Sequence, residues 1–325
     1  MTRETFVKVF QEHLATTYSH GYQSWWHKFL FHFSDMSNII SILNSGMLYS
    51  RNRVLELGLM HNDNADDDVI DHTLLDAKDF VRFYFGALTP TQFHNEGFKP
   101  KKQITNNAHC PVPVFLLFDF VKMLAKEESQ FSNGNIAAAG VKVYNDIEDL
   151  NKLEFEYIYH RGSLYGVSNY AHITHCRHAE ILIPHELDIW SALQYVVVRS
   201  EAEKQTLLYH LDEEVRYKVE DKIRVRVNGV FYADRLYVEE VEPIDKGYII
   251  TFSKTTVPDR FDYRFVVTHR YTGEMIVKEA SQVMLENKKP KLLIDGDLKN
   301  SILRIEIDGH LAYEYDFGNP SHLLV

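Results

Sequence analysis

A single carboxylate inside an apolar run is the strongest constraint on the fold of this chain. The run Ala-Glu-Ile-Leu-Ile at 179–183 is typical of a buried strand, and Pro184 ends it because proline cannot extend a strand ladder. Burial of Glu180 is costly unless another group pairs with it. For Glu180 alone, an edge strand facing water is the simpler explanation. Two further apolar runs, 29–33 and 80–85, also carry a polar group, which favours three strands meeting around one polar cleft.

The segment after the first of these strands predicts a short helix with a defined start and end. Ser34 or Asp35 is placed to cap the helix, and Gly46 stands where a left-handed residue ends it. Its inward face is apolar, with Ile39, Ile40 and Leu43. The helix N-terminus therefore lies beside His32, and helix N-termini attract anions such as pyrophosphate.

Length and composition describe a globular chain with room for two domains. It has 325 residues, of which 45% are hydrophobic and 25% charged. Two cysteines, Cys110 and Cys176, are too few for a disulfide framework, and we find neither a signal segment nor an apolar run of membrane-spanning length. We therefore expect a cytoplasmic protein that does not engage a membrane. The net charge of −11 argues against nonspecific coating of nucleic acid but leaves room for a local basic groove.

Two segments resemble metal sites, and we predict that neither is one. The acidic run at 63–71 lacks the glycine that a calcium loop has at its sixth position, which favours a solvated loop. The segment His-Ile-Thr-His-Cys-Arg-His at 172–178 offers imidazoles and a thiol, which are zinc ligands. We predict an extended conformation here, in which His172 and His175 point to opposite faces, and no second Cys/His cluster completes the site.

From about residue 215 the pattern changes to short alternating runs, such as 223–227 and 248–252. Hairpin turns are indicated between them, at Asn228-Gly229, Asp245-Lys246-Gly247, Asp295-Gly296 and Asp308-Gly309. Seven or eight strands in roughly 110 residues predict a β-sandwich. We expect a catalytic domain at 1–212 and a β-sandwich accessory or interaction domain at 213–325.

Four ordered segments resemble the DarT-type ADP-ribosyltransferase toxins. They span about residues 22–212 and begin at His32-Phe-Ser-Asp, Asp79-Phe-Val-Arg, Asn133-Gly-Asn-Ile and Arg177-His-Ala-Glu. The resemblance implies an α+β fold whose mixed β core carries flanking helices. It also implies that NAD is the co-substrate and that ADP-ribose is transferred to a base in single-stranded DNA or RNA. The expected partner is an antitoxin, in a toxin–antitoxin or phage-defence system.

The resemblance also implies roles for individual residues. Cleavage of the nicotinamide–ribose bond builds positive charge on the ribose, and a fixed carboxylate beside C1′ stabilises that charge. Glu180 matches the family's glutamate in this role, and it can also hold the ribose 2′-OH and help to deprotonate the attacking base. The implied NAD-binding positions are His32, Ser34, Asn38, Gly46, Leu48, Arg51, Tyr84 and Phe85, the last two as walls of the nicotinamide pocket.

One position departs from the family pattern. After the strand at 80–85 the family has an Arg-Ser-Pro-Met type sequence whose arginine assists catalysis, whereas this chain has Leu-Thr-Pro-Thr at 88–91. Arg82, Arg51 or Arg53 is in a position to supply the missing cation, or else the nucleophile differs from that of the DNA-modifying members. Two alternatives to a transferase stay open: an NAD glycohydrolase with water as acceptor, and an inactive protein whose sandwich binds a partner.

The excess of acidic residues bears on the form of the nucleic acid. With 35 Lys and Arg against 46 Asp and Glu, we expect few phosphate contacts. We therefore expect a single-stranded substrate, in which a base leaves the stack at least cost. The candidates for base stacking are aromatic residues that also suit a core position: Tyr22, Trp25, Trp26 and Phe93.

Overall fold

The computed structural model describes residues 1–21, 23–58, 75–104, 108–232, 235–255, 259–285, 288–293 and 300–318. The predicted solvated loop at 63–71, the aromatic Tyr22 and the predicted turn at Asp295-Gly296 lie outside these residues. Among the helices that are described, none is both long enough and apolar enough to cross a bilayer.

Helices flank the first two thirds of the chain. In the described residues they are α1 (Arg3–Thr17), α2 (Met36–Ser45), α3 (Arg51–Leu57), α4 (Pro90–Asn95), α5 (Phe120–Leu124), α6 (Phe155–Ile158), α7 (Tyr170–Cys176), α8 (Glu201–His210) and α9 (Glu213–Val219). Thr2 caps α1 by accepting a hydrogen bond from the backbone N–H of Thr5. Its buried stripe comprises Val7, Phe10 and Leu14.

Strands run through the whole chain. They are β1 (Phe29–Asp35), β2 (Met47–Tyr49), β3 (Phe80–Tyr84), β4 (Pro113–Asp119), β5 (Gln130–Ser132), β6 (Val143–Tyr144), β7 (Glu180–Pro184), β8 (Glu186–Asp188), β9 (Leu193–Val198), β10 (Ile223–Val225), β11 (Val238–Ile244), β12 (Gly247–Phe252), β13 (Phe261–His269), β14 (Met275–Val283), β15 (Lys291–Leu293), β16 (Ser301–Ile307) and β17 (His310–Asp316). As far as the structure describes the chain, the first sheet has the order β10-β9-β4-β1-β3-β7-β5-β6, and β2 pairs with β8.

The three strands that carry polar groups are neighbours in this sheet, as the sequence predicts. β1 pairs along its length with β4, from Phe29 opposite Asp119 to Asp35 opposite Pro113. On its other side, the described pairing of β1 with β3 is limited to Phe31 opposite Tyr84. β3 then pairs fully with β7. The polar groups of β1, β3 and β7 therefore lie close to the short β1–β3 pairing, whereas β1 with β4 and β3 with β7 pair along their length.

Helix α2 begins and ends as predicted. Asp35 caps it, with Oδ1 accepting a hydrogen bond from the backbone N–H of Ser37 at 3.2 Å. Gly46 ends it in the left-handed conformation, with φ of 71°. A Cβ at Gly46 would lie 2.5 Å from Nε1 of Trp190, so both the backbone angle and the neighbouring indole require glycine here.

Two antiparallel sheets follow, with the orders β11-β12-β15 and β14-β13-β16-β17. Phe252 of β12 meets Tyr263 of β13 with ring centroids 5.7 Å apart, so the two sheets contact each other. The hairpins predicted at 245–247 and 308–309 are confirmed as the β11–β12 and β16–β17 turns. The α+β class with all-β sheets in the C-terminal region is thereby confirmed.

The C-terminal sheets rest on helix α8. The Tyr313 hydroxyl donates a hydrogen bond to Oε1 of Gln205 at 2.9 Å, and Oγ1 of Thr206 accepts one from the Glu314 N–H at 3.0 Å. These two hydrogen bonds place β17 against α8.

The hairpin predicted at Asn228-Gly229 is wrong. β10 instead pairs in parallel with β9, with Ile223 opposite Val196, and forms the edge of the first sheet. Parallel neighbours need a crossover connection, and α8 and α9 provide it. The domain boundary at 212 stays a prediction, and the first sheet includes one strand beyond it.

One further local prediction needs correction. The segment 172–178 is not extended, because α7 runs to Cys176. His172 and Cys176 therefore lie one helical turn apart on the same face, which removes the geometric objection to a metal site.

Candidate active site

Glu180 occupies the first position of β7 and is 1% exposed. Its backbone N–H donates to Oγ of Ser132 at 3.1 Å, and that hydroxyl donates to the Gly134 carbonyl at 2.6 Å. The turn that follows brings the Ile136 N–H to Oε2 of Glu180 at 3.0 Å. Residues 132–136 therefore hold both the backbone and one carboxylate oxygen of Glu180, which gives the buried carboxylate partners that offset its desolvation.

The other carboxylate oxygen faces β3. Nη1 of Arg82 lies 3.7 Å from Oε1 of Glu180. Tyr84 stands directly opposite Glu180 in the strand register, and its hydroxyl lowers the pKa of the carboxylate. Because alternate residues of a strand share a face, Arg82 and Tyr84 both project toward Glu180.

The electrostatics of the site follow from burial and from these partners. Burial raises the pKa of Glu180 above its usual value, while the Arg82 guanidinium, the Ile136 N–H and the Tyr84 hydroxyl oppose that rise. Burial and the charge of Glu180 raise the pKa of the Tyr84 phenol, so Tyr84 stays protonated and donates. A fixed carboxylate in a site with little water can stabilise positive charge that develops beside it.

His32 lies in the middle of β1, next to Phe31, the residue through which β1 pairs with β3. Its Nδ1 donates to the Arg82 carbonyl at 3.0 Å, and its ring centroid lies 5.8 Å from that of Phe83. Burial lowers the pKa of His32 more than this hydrogen bond raises it, so the ring is neutral at pH 7 with the proton on Nδ1. His32 thus connects β1 by a hydrogen bond to the backbone of Arg82, whose guanidinium faces Glu180.

Ser34 and Asn38 meet where β1 passes into α2. Nδ2 of Asn38 donates to Oγ of Ser34 at 3.1 Å, and Ser34 is buried. Both side chains lie at the N-terminal end of α2, where the helix dipole favours an anion.

The remaining implied NAD-binding positions follow along the chain from α2 to α3. Gly46 ends α2, Leu48 is buried within β2, and Arg51 is the first residue of α3. The pairing of β2 with β8 places this connection beside β7, because β8 directly follows β7 in the chain.

Phe85, another of the implied NAD-binding positions, is buried. Its ring is 1% exposed and lies 5.2 Å from the Phe155 ring and 6.3 Å from the Phe120 ring. Phe85 is therefore packed among core aromatic residues just after the end of β3, and its assignment to a wall of the nicotinamide pocket stays a prediction.

Of the three arginines considered for the missing cation, Arg82 is the one with a described contact to Glu180. Arg53 instead pairs with Glu56 at 3.1 Å and Glu186 at 3.9 Å. The sheet register places Arg82 close to the start of β7, because β3 pairs with β7 along its length.

Leu88, at the position where the family pattern has arginine, adopts a positive φ of 57°. Its N–H donates to Oε1 of Gln92 at 2.6 Å, and its carbonyl accepts from the Arg177 guanidinium and, at 2.9 Å, from the Tyr232 hydroxyl. A strained backbone of this kind persists where its surroundings fix it. Sequence reasoning missed Arg177 and Tyr232, whose contacts with Leu88 span 89 and 144 residues.

The aromatic residues considered for base stacking differ in exposure. Trp26 is 1% exposed and belongs to the core, and Trp25 is partly buried against it. Phe93, in α4, is 50% exposed. Its ring lies 5.2 Å from the Tyr232 ring and 5.8 Å from the Arg235 guanidinium. Phe93 therefore presents an open aromatic surface beside a cation.

Comparison with known proteins gives one family. The family model described as ssDNA thymidine ADP-ribosyltransferase, DarT, matches residues 31–232. A search of curated proteins finds no match. Among solved structures, the chain is similar to Thermus sp. 2.9 DarT in complex with ADP-ribosylated ssDNA, at 15% identity and a TM-score of 0.50, over 63% of this chain and 96% of that chain.

Two other solved structures show similarity at lower scores. Thermus sp. 2.9 DarT in complex with NAD+ has 15% identity and a TM-score of 0.48, over 63% of this chain and 98% of that chain. Thermosipho africanus DarTG in complex with ADP-ribose has 14% identity and a TM-score of 0.42, over 69% of this chain and 55% of that chain.

The match at residues 31–232 extends from within β1 to beyond β10 and covers more than half of the chain. It includes Glu180 and both of its β3 partners, Arg82 and Tyr84. The likeness to the Thermus sp. 2.9 complex with modified DNA shows that the fold is shared. The chain belongs to the DarT family of single-stranded-DNA thymidine ADP-ribosyltransferases.

Proposed function

We propose that this protein consumes NAD+ and transfers ADP-ribose to a base in single-stranded nucleic acid, with thymidine in DNA as the first acceptor to test. The observation that carries the proposal is the buried Glu180 carboxylate, held by the Ile136 N–H and faced by Arg82 and Tyr84. Family membership supplies the class of reaction.

The chemistry requires a carboxylate with two tasks. The bond between the ribose C1′ and nicotinamide breaks with its electron pair leaving on nicotinamide, a ring nitrogen of the base bonds to C1′, and that nitrogen loses its proton. Glu180 stabilises the positive charge on the ribose and then accepts the proton from the base. The Ile136 N–H keeps the carboxylate oriented through both tasks.

Arg82 is proposed as the substitute for the arginine of the family pattern. Its guanidinium favours the ionised form of Glu180 in spite of burial. A cation on a strand is also positioned more rigidly than one on a loop, because the β3–β7 register fixes its distance from Glu180.

For the rest of NAD+ we propose the surface that runs from β1 to α3. The N-terminal end of α2, with Ser34 and Asn38, suits the diphosphate because helix N–H groups and the dipole bind anions. His32, Gly46, Leu48 and Arg51 stay proposed binding positions on either side of this helix end.

Phe93 is proposed to stack on the nucleic acid. Half of its surface is open, and Arg235 beside it can approach a phosphate or a base plane. One exposed aromatic with one cation fits a substrate that is held by stacking more than by phosphate contacts.

We propose that the two parts of the chain divide the work. All the site residues named above lie before residue 212 except Tyr232 and Arg235, and the family match ends at 232. The C-terminal sheets then form an accessory or interaction domain. The expected setting is a cytoplasmic toxin restrained by an antitoxin protein.

One assay tests these proposals together. The purified protein is incubated with NAD+ alone, then with thymidine-containing single-stranded DNA, the matching RNA, and duplex DNA, and free nicotinamide and the oligonucleotide mass are measured. We expect nicotinamide release together with a mass gain of one ADP-ribose on single-stranded DNA. Release without a mass gain would favour a glycohydrolase, labelling of RNA alone would change the acceptor, and no turnover by folded protein would favour a binding module.

A further inference from the structure

A second polar cluster lies between α6 and α7, outside the Glu180 site. Oε1 of Glu154 lies 2.9 Å from Nε2 of His172, and Sγ of Cys176 lies 3.7 Å from that nitrogen and 3.9 Å from that oxygen. Cys176 is buried, whereas the side chains of Glu154 and His172 are 48% and 46% exposed. An imidazole, a carboxylate and a thiol therefore lie together at the protein surface, with one side of the cluster exposed to water.

Local structure brings the three groups together. Glu154 is the N-cap residue of α6, yet its carboxylate makes no capping hydrogen bond and is directed at α7 instead. His172 and Cys176 are four residues apart on α7, which places them on one helix face. The extended conformation predicted from the sequence would have separated them.

We propose that Glu154, His172 and Cys176 bind a divalent ion of the zinc class. Tetrahedral zinc, with bonds of about 2.0–2.3 Å, separates its ligand atoms by roughly 3.3–3.6 Å. The three observed separations, 2.9, 3.7 and 3.9 Å, differ from that range by a few tenths of an ångström, which small side-chain rotations can absorb. Nitrogen and sulfur ligands with one carboxylate suit zinc and cobalt rather than calcium or magnesium.

The exposed side of the cluster leaves the fourth coordination position to water. On binding, Cys176 releases its thiol proton to solvent and forms a sulfur–metal bond, while His172 binds as the neutral imidazole. The ion thereby takes the place of the hydrogen bond between His172 and Glu154.

The ion would fix the segment that leads to β7. It joins the start of α6 to the end of α7, and between these helices lies an exposed stretch with Tyr165, 97% exposed. The residue after Cys176 is Arg177, whose guanidinium holds the Leu88 carbonyl. A metal at Cys176 would therefore limit the movement of both the exposed stretch and the start of β7.

Cobalt titration of the reduced full-length protein tests the site, because a cobalt–thiolate bond gives a near-ultraviolet charge-transfer absorption. We expect this absorption to saturate at one Co2+ per chain and to disappear when Zn2+ displaces the cobalt. Cys176→Ala should abolish it, and His172→Ala should weaken binding about tenfold or more. The matched controls are Cys110→Ala, which removes the other cysteine, and His175→Ala, which removes an imidazole of the same helix; both should keep it.

Thermal unfolding tests the same metal site without a spectroscopic probe. Because an ion that binds the folded state alone stabilises it, Zn2+ should raise the Tm of the wild type and of the Cys110→Ala variant but not of Cys176→Ala. Circular dichroism of the metal-free variants, with Cys176→Ser as an alternative substitution, checks that each is folded. Absence of a saturable absorption in the wild type, its persistence in Cys176→Ala, or an equal rise in Tm in that variant would overturn the proposal.

Discussion

Arg82 and Glu180, on the adjacent strands β3 and β7, approach each other to 3.7 Å between Nη1 and Oε1. Only 2% of the Glu180 side chain is exposed, against 28% of Arg82, so the carboxylate bears most of the desolvation while the cation keeps contact with water. The Arg82 cation therefore opposes the effect of burial on the pKa of Glu180, which is still raised, and the 3.7 Å separation leaves the carboxylate available to a substrate.

Replacement of Glu180 by Gln should abolish transfer while leaving the fold intact. Gln keeps the shape and loses the charge, so the transition state loses its main electrostatic support, at a cost on the order of 10²–10³ in rate or more. The measurement is nicotinamide release and oligonucleotide labelling. Glu186→Gln, an exposed glutamate in β8, is the control and should behave as the wild type. An active, folded Glu180→Gln variant would show that the strand has been misinterpreted.

The pH dependence of activity should report the environment of Glu180. Burial raises its pKa, so kcat/KM should rise with pH through a value above the usual glutamate range. Because Arg82 opposes that rise, Arg82→Gln should move the acidic limb to higher pH, and Arg82→Lys, which keeps the charge, should move it less. A uniform loss of rate at every pH in Arg82→Gln would mean that Arg82 acts by another route.

The same pKa shift predicts a pH-dependent effect on stability. The folded state binds the Glu180 proton more tightly than the unfolded chain does, so this group contributes stability below its unfolded pKa that is lost as pH rises through its folded pKa. Glu180→Gln cannot ionise, so its stability relative to the wild type should increase as pH rises from the unfolded towards the folded pKa of Glu180. Urea unfolding at several pH values measures this difference. A constant difference across that range would contradict the raised pKa.

Asp35, Gly46 and Glu180 show what the sequence could predict, because each depends on local chemistry: a helix cap, a left-handed helix end, and a carboxylate that needs partners once buried. The contact of Arg177 with Leu88 and the pairing of β10 with β9 depend on residues distant in the chain, and no local pattern encodes them. The conformation predicted for the segment 172–178 was wrong for a different reason. Its polar, histidine-rich composition has no clear period, so the extended conformation predicted for it had no support from periodicity, and packing favours α7.

Gly46→Ala should destabilise the protein more than Gly58→Ala. Both glycines end helices in the left-handed region, with φ of 71° and 65°, so both substitutions lose about 1 kcal/mol to backbone strain. At Gly46 the Cβ would lie 2.5 Å from Nε1 of Trp190, whereas a Cβ at Gly58 meets none of the described residues within 4 Å. Such overpacking costs a further ~1–3 kcal/mol.

Urea unfolding of the two glycine variants separates backbone strain from the collision. Combining Gly46→Ala with Trp190→Ala should remove the additional loss, because the indole is the obstructing group. Equal destabilisation by the two single substitutions would show that Trp190 moves aside at no cost.

The protein should label single strands far better than duplexes, with a shallow dependence on salt. The chain has 35 Lys and Arg against 46 Asp and Glu, so we expect few phosphates to be neutralised and few counterions to be released on binding. We then expect affinity to come from stacking, and Phe93 is an exposed aromatic beside a cation that can provide it. Loss of one stacked base costs ~1–3 kcal/mol, so Phe93→Ala should raise the KM for the oligonucleotide about tenfold while leaving the KM for NAD+ unchanged.

Matched single-stranded DNA, single-stranded RNA and duplex oligonucleotides at two salt concentrations provide the comparison of labelling. Equal labelling of duplex and single strands, or a steep loss of labelling with salt, would mean that phosphate contacts on a basic face hold the substrate instead.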